Sequence, residues 1–258
     1  MGLAIVTGAT SGIGYRYAHR LAGNGHDLVI AARTPGRLTD VADQLTREHA
    51  VSVVPIVADL STNTGVDDVV DAGRGATIVV ANAGSSLATR AGEAPWSELE
   101  RLSYLLGPGV AQLCEGLIPS MVGDGWGRIT IVASIGALVP MPKSAIYCAA
   151  KAYAVGYGRS VHAELRASGV RVCTVCPGYV RTDLHRASGL EHLPEKVPAW
   201  LWIDPDDVVD AAERGLDRGR PMVVPGVVYR TARPFLQSSA AALVWRRMTS
   251  RGSSTGRS

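Results

Sequence analysis

Short β-branched apolar runs alternate with longer, alanine-rich stretches along the whole chain. The runs fall at residues 3–6, 27–31, 51–57, 77–80, 128–132, 170–175 and 221–224. They lack the in-and-out polar alternation of a half-solvated sheet, so each predicts a strand covered by helices on both faces. The stretches between them read as helices, among them 15–22, 99–122 and 147–167. A repeat of strand and helix predicts an α/β fold, a doubly wound parallel sheet of about seven strands.

Composition narrows the class further. With 258 residues, 47% hydrophobic and 19% charged, the chain has enough apolar material for one large core, which excludes a disordered or fibrous protein. No Pro/Gly/Ser-rich stretch or charge run divides it before its extreme end, so residues 1–248 read as one domain and 249–258 as a disordered tail. The net charge of +3 is spread along the chain, and no nucleic-acid partner is expected. The start, residues 2–6 running straight into Thr7-Gly8, carries no basic lead or small-residue cleavage site, and no uninterrupted apolar run approaches the ~18 residues of a membrane span. A cytoplasmic protein with no transmembrane segment is the expectation. Cys173 and Cys176 invite a metal or redox reading, but they sit three apart on a predicted strand and so face opposite sides. They read as small core residues, and no metal site is expected.

The first strand runs into Thr7-Gly8-Ala-Thr-Ser-Gly12-Ile-Gly14, after which a helix begins. Strand, glycine turn and helix in that order let a pyrophosphate approach backbone amides at a helix N-terminus. If a dinucleotide sits there, an acidic residue at the end of the second strand would bind the ribose of NAD. Here the strand ends Ile30-Ala31-Ala32-Arg33, and Arg33 and Arg37 suit a 2′-phosphate, so NADP(H) is preferred over NAD(H). The competing reading is two solvated arginines.

Tyr147 and Lys151 are four apart on a predicted helix and share a face, an arrangement in which an ammonium stabilises phenolate and makes the phenol a usable acid/base. Ser134 ends the strand before that helix, Asn82-Ala83-Gly84 follows the fourth strand, and Pro177-Gly178 follows the sixth. Ligands of open α/β sheets bind beyond the carboxyl ends of the strands, so all of these lie on one rim.

In these motifs and their order, Thr7-Gly8-x-x-x-Gly12-x-Gly14, Asn82-Ala-Gly84, Ser134, Tyr147-x-x-x-Lys151 and Pro177-Gly178-x-x-x-Thr182, the chain resembles the short-chain dehydrogenase/reductase family over about residues 3–225. The resemblance implies a single Rossmann-type domain that interconverts an alcohol and a carbonyl compound with NAD(P)(H). It assigns Ser134 to polarising the carbonyl, Tyr147 to proton transfer, and Lys151 to lowering the Tyr147 pKa and holding the nicotinamide ribose. Cofactor contacts are implied at Gly8, Thr10, Ser11, Gly12, Ile13, Gly14, Arg33, Asp59, Asn82, Ala83, Gly84, Tyr147, Lys151, Pro177, Gly178, Val180 and Thr182. A homodimer or homotetramer is implied, built on 147–167 and 99–122.

The chain departs from the family pattern at two places. By register Tyr104 stands where the family usually has an asparagine that supports a proton-relay water, and it is expected to point toward Lys151, either taking over the relay or leaving the site idle. Ala81 replaces a second asparagine before Asn82. Residues 183–203 are implied to be the substrate lid, with Leu184, Leu190, Leu193, Trp200 and Trp202 an apolar cover for an apolar carbonyl or alcohol substrate, or the tryptophans simply packing, and His185 on the surface. Residues 229–248 read as a packed C-terminal helix, with a membrane- or partner-bound segment as the alternative. Two function classes remain: an active NADP(H)-dependent oxidoreductase, and a catalytically impaired relative that senses nucleotide or acts as a scaffold. A dehydratase or epimerase on the longer related fold is disfavoured by the short C-terminal region.

Overall fold

A computed structural model describes residues 2–182 and 197–236. Its strands are β1 (Leu3–Thr7), β2 (Asp27–Ala32), β3 (Val53–Val57), β4 (Ile78–Ala81), β5 (Gly127–Val132), β6 (Val170–Val175), β7 (Tyr179–Val180), β8 (Trp202–Ile203) and β9 (Met222–Val223). The helices are α1 (Gly12–Gly23), α2 (Pro35–His49), α3 (Asn63–Ala72), α4 (Trp96–Leu106), α5 (Pro108–Gly123), α6 (Ala145–Glu164), α7 (Pro205–Asp217) and α8 (Val227–Leu236). Seven strands form one parallel sheet in the order β3-β2-β1-β4-β5-β6-β9, and β7 and β8 pair separately. This is the expected doubly wound arrangement.

The absence of polar alternation has a direct structural cause. On β1, Ala4 and Val6 pack into one apolar layer with Tyr17, Leu21, Leu38 and Val208, while Ile5 between them packs into the opposite layer with Val69, Leu117 and Ile131. Both faces are therefore dry. The edge strand β3 is the exception: Val54 and Val57 are exposed, and Pro55, which cannot donate to a ladder, is tolerated because only β2 pairs with it.

Strand order reverses at β1, which pairs with β2 on one side and β4 on the other, opening a crevice above their carboxyl ends. Polar contacts fix α1 and α7 against the same face. The buried Tyr17 hydroxyl donates to Glu213 at 2.9 Å, Arg128 reaches Glu213 at 2.8 Å and Asp217 at 2.9 Å, and Arg20 reaches Asp210 at 2.7 Å.

One sequence expectation changes. The 99–122 stretch is two helices, because Pro108 disfavours helical geometry at the preceding residue and Gly107 turns to φ −127° and ψ −89°. Together α4 and α5 have the length and apolarity of a membrane span. Leu106, Leu113, Leu117 and Met121 are buried in the body of the fold, which accounts for that apolarity. The C-terminal helix is described as far as Leu236, and the expected remainder to 248 and the tail 249–258 lie outside the described residues.

Candidate active site

The crevice has a wall made of backbone held at very close range. Thr7, at the end of β1, is buried, and its Oγ1 accepts from the amides of Asn82 at 2.9 Å and Ala83 at 3.0 Å. In return the Asn82 side-chain amide donates to the carbonyls of Thr7 at 2.9 Å and Gly8 at 3.3 Å. The glycine turn is closed over this knot. Gly8 and Gly12 have φ +66° and +54°, and a Cβ on Gly14 would stand 2.3 Å from the Gly8 carbonyl oxygen and 2.4 Å from Asn82 Nδ2. A Cβ on Gly12 would meet the Thr182 methyl at 2.6 Å.

Thus Gly8, Gly12, Gly14, Asn82, Ala83 and Thr182, far apart in the chain, are in one place. Thr10, Ser11 and Ile13 sit half-buried on the turn. The N-terminus of α1 carries no acidic residue in its first turn, and Ser11 makes no side-chain capping bond, so its free amides suit an anion. These features fit a dinucleotide pyrophosphate. Gly8 N donates to Ala31 O at 2.8 Å, so the end of β2 adjoins the turn, with Arg33 and Arg37 exposed just beyond. Asp59, beyond β3, accepts from Ser61 N at 3.0 Å and Ser61 Oγ at 2.7 Å and pairs with Arg101. Burial works against its ionisation, but those bonds outweigh it and hold the carboxyl below its ordinary range.

The opposite wall carries the ionisable groups. Ala133 N donates to Val175 O and Ile135 N to Pro177 O, each at 2.8 Å, tying the rims of β5 and β6 together around Ser134. Ser134 Oγ accepts from Gly136 N at 3.1 Å and starts a single 3-10 turn, Ile135–Ala137. Tyr147, on the first turn of α6, hydrogen-bonds to Ser134; burial raises its phenol and that bond lowers it, leaving it above the ordinary tyrosine value. Lys151, one turn on, is 5% exposed and donates to the Val132 carbonyl at 2.7 Å. Burial pulls its ammonium down to about 8. The expected depression of the phenol by the ammonium is therefore not what this packing gives, because desolvation dominates at both groups.

Asn82-Ala83-Gly84 joins the two walls. Asn82 lies against Gly8 and Gly14, while a Cβ on Gly84 would stand 4.0 Å from Lys151 Nζ and 3.4 Å from Leu106 Cδ2.

That last contact corrects the register on α4. Tyr104 does not point toward Lys151: its hydroxyl bonds to Asn63 and Gln112, on α3 and α5. Leu106, the fully buried last residue of α4, is the one that reaches the crevice, in a cluster with Leu102, Ala150, Ile146 and Tyr147. An offset of two residues is about 200° around a helix, which swings one side chain in and the other out.

The far rim depends on a residue that the sequence did not single out. Tyr229, 4% exposed, donates from its hydroxyl to Leu201 O at 2.8 Å and accepts from Tyr179 N at 3.2 Å. Burial raises its phenol to about 12. A Cβ on Gly178 would stand 2.1 Å from its ring, so Gly178 is the space Tyr229 occupies. The segment around it, Pro177-Gly178 and Val180 of β7, is thus pinned from α8. Trp202 packs its ring on Tyr179 at 5.7 Å and donates from Nε1 to Val197 O at 3.2 Å, whereas Trp200 is 63% exposed. Leu184, His185, Leu190 and Leu193 lie outside the described residues. None of the four cysteines is in a disulfide, and Cys114, Cys173 and Cys176 are buried.

A family model described as "short chain dehydrogenase" matches residues 2–192. The chain belongs to that family. It is an oxidoreductase of the short-chain dehydrogenase/reductase type with a Rossmann-type, NAD(P)-binding sheet. It is 34% identical to a D-beta-hydroxybutyrate dehydrogenase of Rhizobium meliloti over 186 residues, 70% of this chain and 72% of that protein. It is 30% identical to a probable oxidoreductase EphD of Mycobacterium tuberculosis over 239 residues, which cover 85% of this chain but 40% of that longer protein. Among solved structures, a short-chain dehydrogenase from Sphingobium yanoikuyae in complex with NADPH matches with a TM-score of 0.83 and 29% identity, covering 100% of this chain and 99% of that one. A bulky-bulky ketone specific alcohol dehydrogenase from Comamonas testosteroni matches with a TM-score of 0.78 and 25% identity, covering 100% and 97%.

Proposed function

We propose that this member of the family interconverts an apolar ketone or aldehyde with its alcohol, using NADP(H) in preference to NAD(H). The observation that carries the reading is the Asn82-Ala83-Gly84 bridge, which stacks the glycine turn on one end and Lys151 on the other. Binding and chemistry are thereby set side by side.

The cofactor would supply the hydride. It would be held by Gly8, Thr10, Ser11, Gly12, Ile13 and Gly14 at the pyrophosphate, by Arg33 at the 2′-phosphate, by Asp59 at the adenine end, and by Asn82, Ala83, Gly84, Tyr147, Lys151, Pro177, Gly178, Val180 and Thr182 along the crevice. Ser134 Oγ hydrogen-bonds the substrate oxygen and orients it. Tyr147 gives that oxygen its proton in reduction and takes it back in oxidation; burial keeps the phenol protonated at neutral pH, which suits it as an acid. Lys151 supports charge developing on the phenol in the transition state. Leu106, beside Tyr147, helps keep water away from the transferred proton. The NADPH-bound Sphingobium neighbour supports the cofactor choice, and the ketone-specific Comamonas neighbour supports a ketone.

The protein is read as one domain, located in the cytoplasm, and assembled as a homodimer or homotetramer through α4, α5 and α6, where Trp96 and Tyr153 stand exposed. Its only partner in this reading is a small molecule. The test is oxidation of NADPH and of NADH against a panel of bulky ketones and aldehydes. Turnover with NADPH, and loss of its advantage over NADH in Arg33→Ala, are expected; equal use of both cofactors overturns the preference. One observation favours the second reading, a nucleotide sensor: the α4 residue that reaches the crevice is Leu106, which carries no proton. Binding of NADPH with no turnover on any carbonyl, and turnover switched on by Leu106→Asn, would decide for it.

A further inference from the structure

Towards the C-terminal ends of α1 and α2, outside the crevice, two imidazoles and a carboxylate converge. His19 Nδ1 lies 3.4 Å from His49 Nε2 and 3.5 Å from Glu48 Oε2, and His49 Nε2 lies 3.9 Å from that same oxygen. Three atoms with these separations share a centre about 2.1 Å from each, which is the length of a Zn–N or Zn–O bond, ~2.0–2.2 Å. We propose that His19, Glu48 and His49 bind one divalent transition-metal cation, best matched by zinc, which clamps α1 to α2.

The surrounding residues are arranged as the supporting shell of such a site. Gln44, one turn before Glu48, donates from Nε2 to Glu48 Oε1 at 2.9 Å, which leaves Oε2 to face the two rings. Gln44 is itself held by the Tyr15 hydroxyl, which donates to its Oε1 at 3.2 Å. The Tyr15 ring lies 4.4 Å from the His19 ring, one turn on in α1. Partners of this kind orient first ligands and tune their basicity. His19 Nε2 is buried with no hydrogen-bond partner, so the ring meets its polar neighbours through Nδ1 alone.

The donor chemistry selects the ion. Two imidazole nitrogens and one carboxylate suit zinc and its first-row neighbours, whereas magnesium and calcium take oxygen ligands. Glu48 is half-exposed, so the fourth position opens to water. The clamp has a consequence for the crevice: α1 begins at the glycine turn and α2 begins just after Arg33, so fixing the two helices to each other fixes the proposed pyrophosphate and 2′-phosphate positions relative to one another.

The test uses the full chain stripped of metal with a chelator and titrated with Zn2+ by calorimetry and with Co2+ by visible absorption, with Mg2+ as the control ion. The expected result is one Zn2+ or Co2+ per chain, a Co2+ spectrum typical of nitrogen and oxygen ligands in a low-coordinate site, a Tm that rises with Zn2+, and no response to Mg2+. His19→Gln and His49→Gln should each weaken binding tenfold or more and cancel the rise in Tm, and Gln44→Leu should weaken it roughly tenfold. Circular dichroism of the metal-free variants checks that they fold; a variant that does not fold is replaced by Glu48→Gln, whose side chain is half-exposed. No saturable binding of one ion, binding unchanged in the folded histidine variants, or a Co2+ thiolate charge-transfer band placing the ion on cysteine would each overturn the site. Because the readouts are stoichiometry, spectrum and Tm, they stand or fall independently of carbonyl turnover.

Discussion

The two walls of the crevice are built by opposite means. On the nucleotide side nothing larger than hydrogen fits: the Gly14 position is closed by the Gly8 carbonyl and the Asn82 amide, and the buried Thr7 hydroxyl takes two amides at once. On the far rim, where Pro177, Gly178 and Val180 are proposed cofactor contacts, bulk does the positioning, with Tyr229 filling the space over Gly178 and Trp202 lying on Tyr179. A wall made of backbone contacts has no slack and suits a cofactor of constant shape. A wall made of side chains can be refitted by substitution, and suits a substrate that differs from one relative to the next.

The comparison makes separable predictions. The largest effect belongs to neither wall but to the acid between them: Tyr147→Phe should lower kcat by about 10²–10⁴-fold, while fluorescence titration shows NADPH affinity almost unchanged. Substantial surviving turnover would move the proton to another group. Next comes the rigid wall. Gly14→Ala should destabilise the fold by about 1–3 kcal/mol in urea unfolding, because the new methyl meets backbone that cannot withdraw, and should cost most of the NADPH affinity. A variant of near-normal stability and affinity would show that this wall does yield. The smallest effect is on the adaptable wall: Tyr229→Phe leaves the ring in place but removes the bonds to Leu201 and Tyr179, at a cost of about 1–2 kcal/mol. It should weaken NADPH binding and raise KM for the carbonyl substrate together, since the segment it pins carries the proposed cofactor contacts Pro177, Gly178 and Val180, and unchanged NADPH affinity would take that segment out of the cofactor site.

The same contrast explains what could be read from the sequence. Thr7, Gly8, Gly12, Gly14 and Asn82 were legible because a backbone that approaches this closely admits few residue types at fixed spacing. Ser134, Tyr147 and Lys151 were legible from one helical turn and one strand end. Tyr229 was not, since its role is set by contacts 28 and 50 residues away, and a lone tyrosine before Arg230 carries no local mark. The assignment of Tyr104 to the crevice failed for a nearer reason. The break at Gly107-Pro108 ends α4 directly after Leu106, so the residue facing Lys151 is fixed by where the helix stops, and continuous periodicity over 99–122 hides that. His19, Glu48 and His49 escaped notice because the two histidines lie 30 residues apart on different helices, without a metal motif's regular spacing.

The short β7–β8 pair has a consequence for how such a protein diversifies. Tyr179 and Val180 pair in parallel with Trp202 and Ile203, and Arg181 N donates to Ile203 O at 3.0 Å, so the two flanks of this connection are held at adjoining, hydrogen-bonded points. A parallel pair requires a connection of about a dozen residues or more, and lengthening such a connection costs only about 0.6 kcal/mol per doubling. The two ends of that connection are therefore held by the body itself. Drift, recombination or deliberate grafting can change the length of what joins these two points at little cost, while the inherited sheet goes on unchanged.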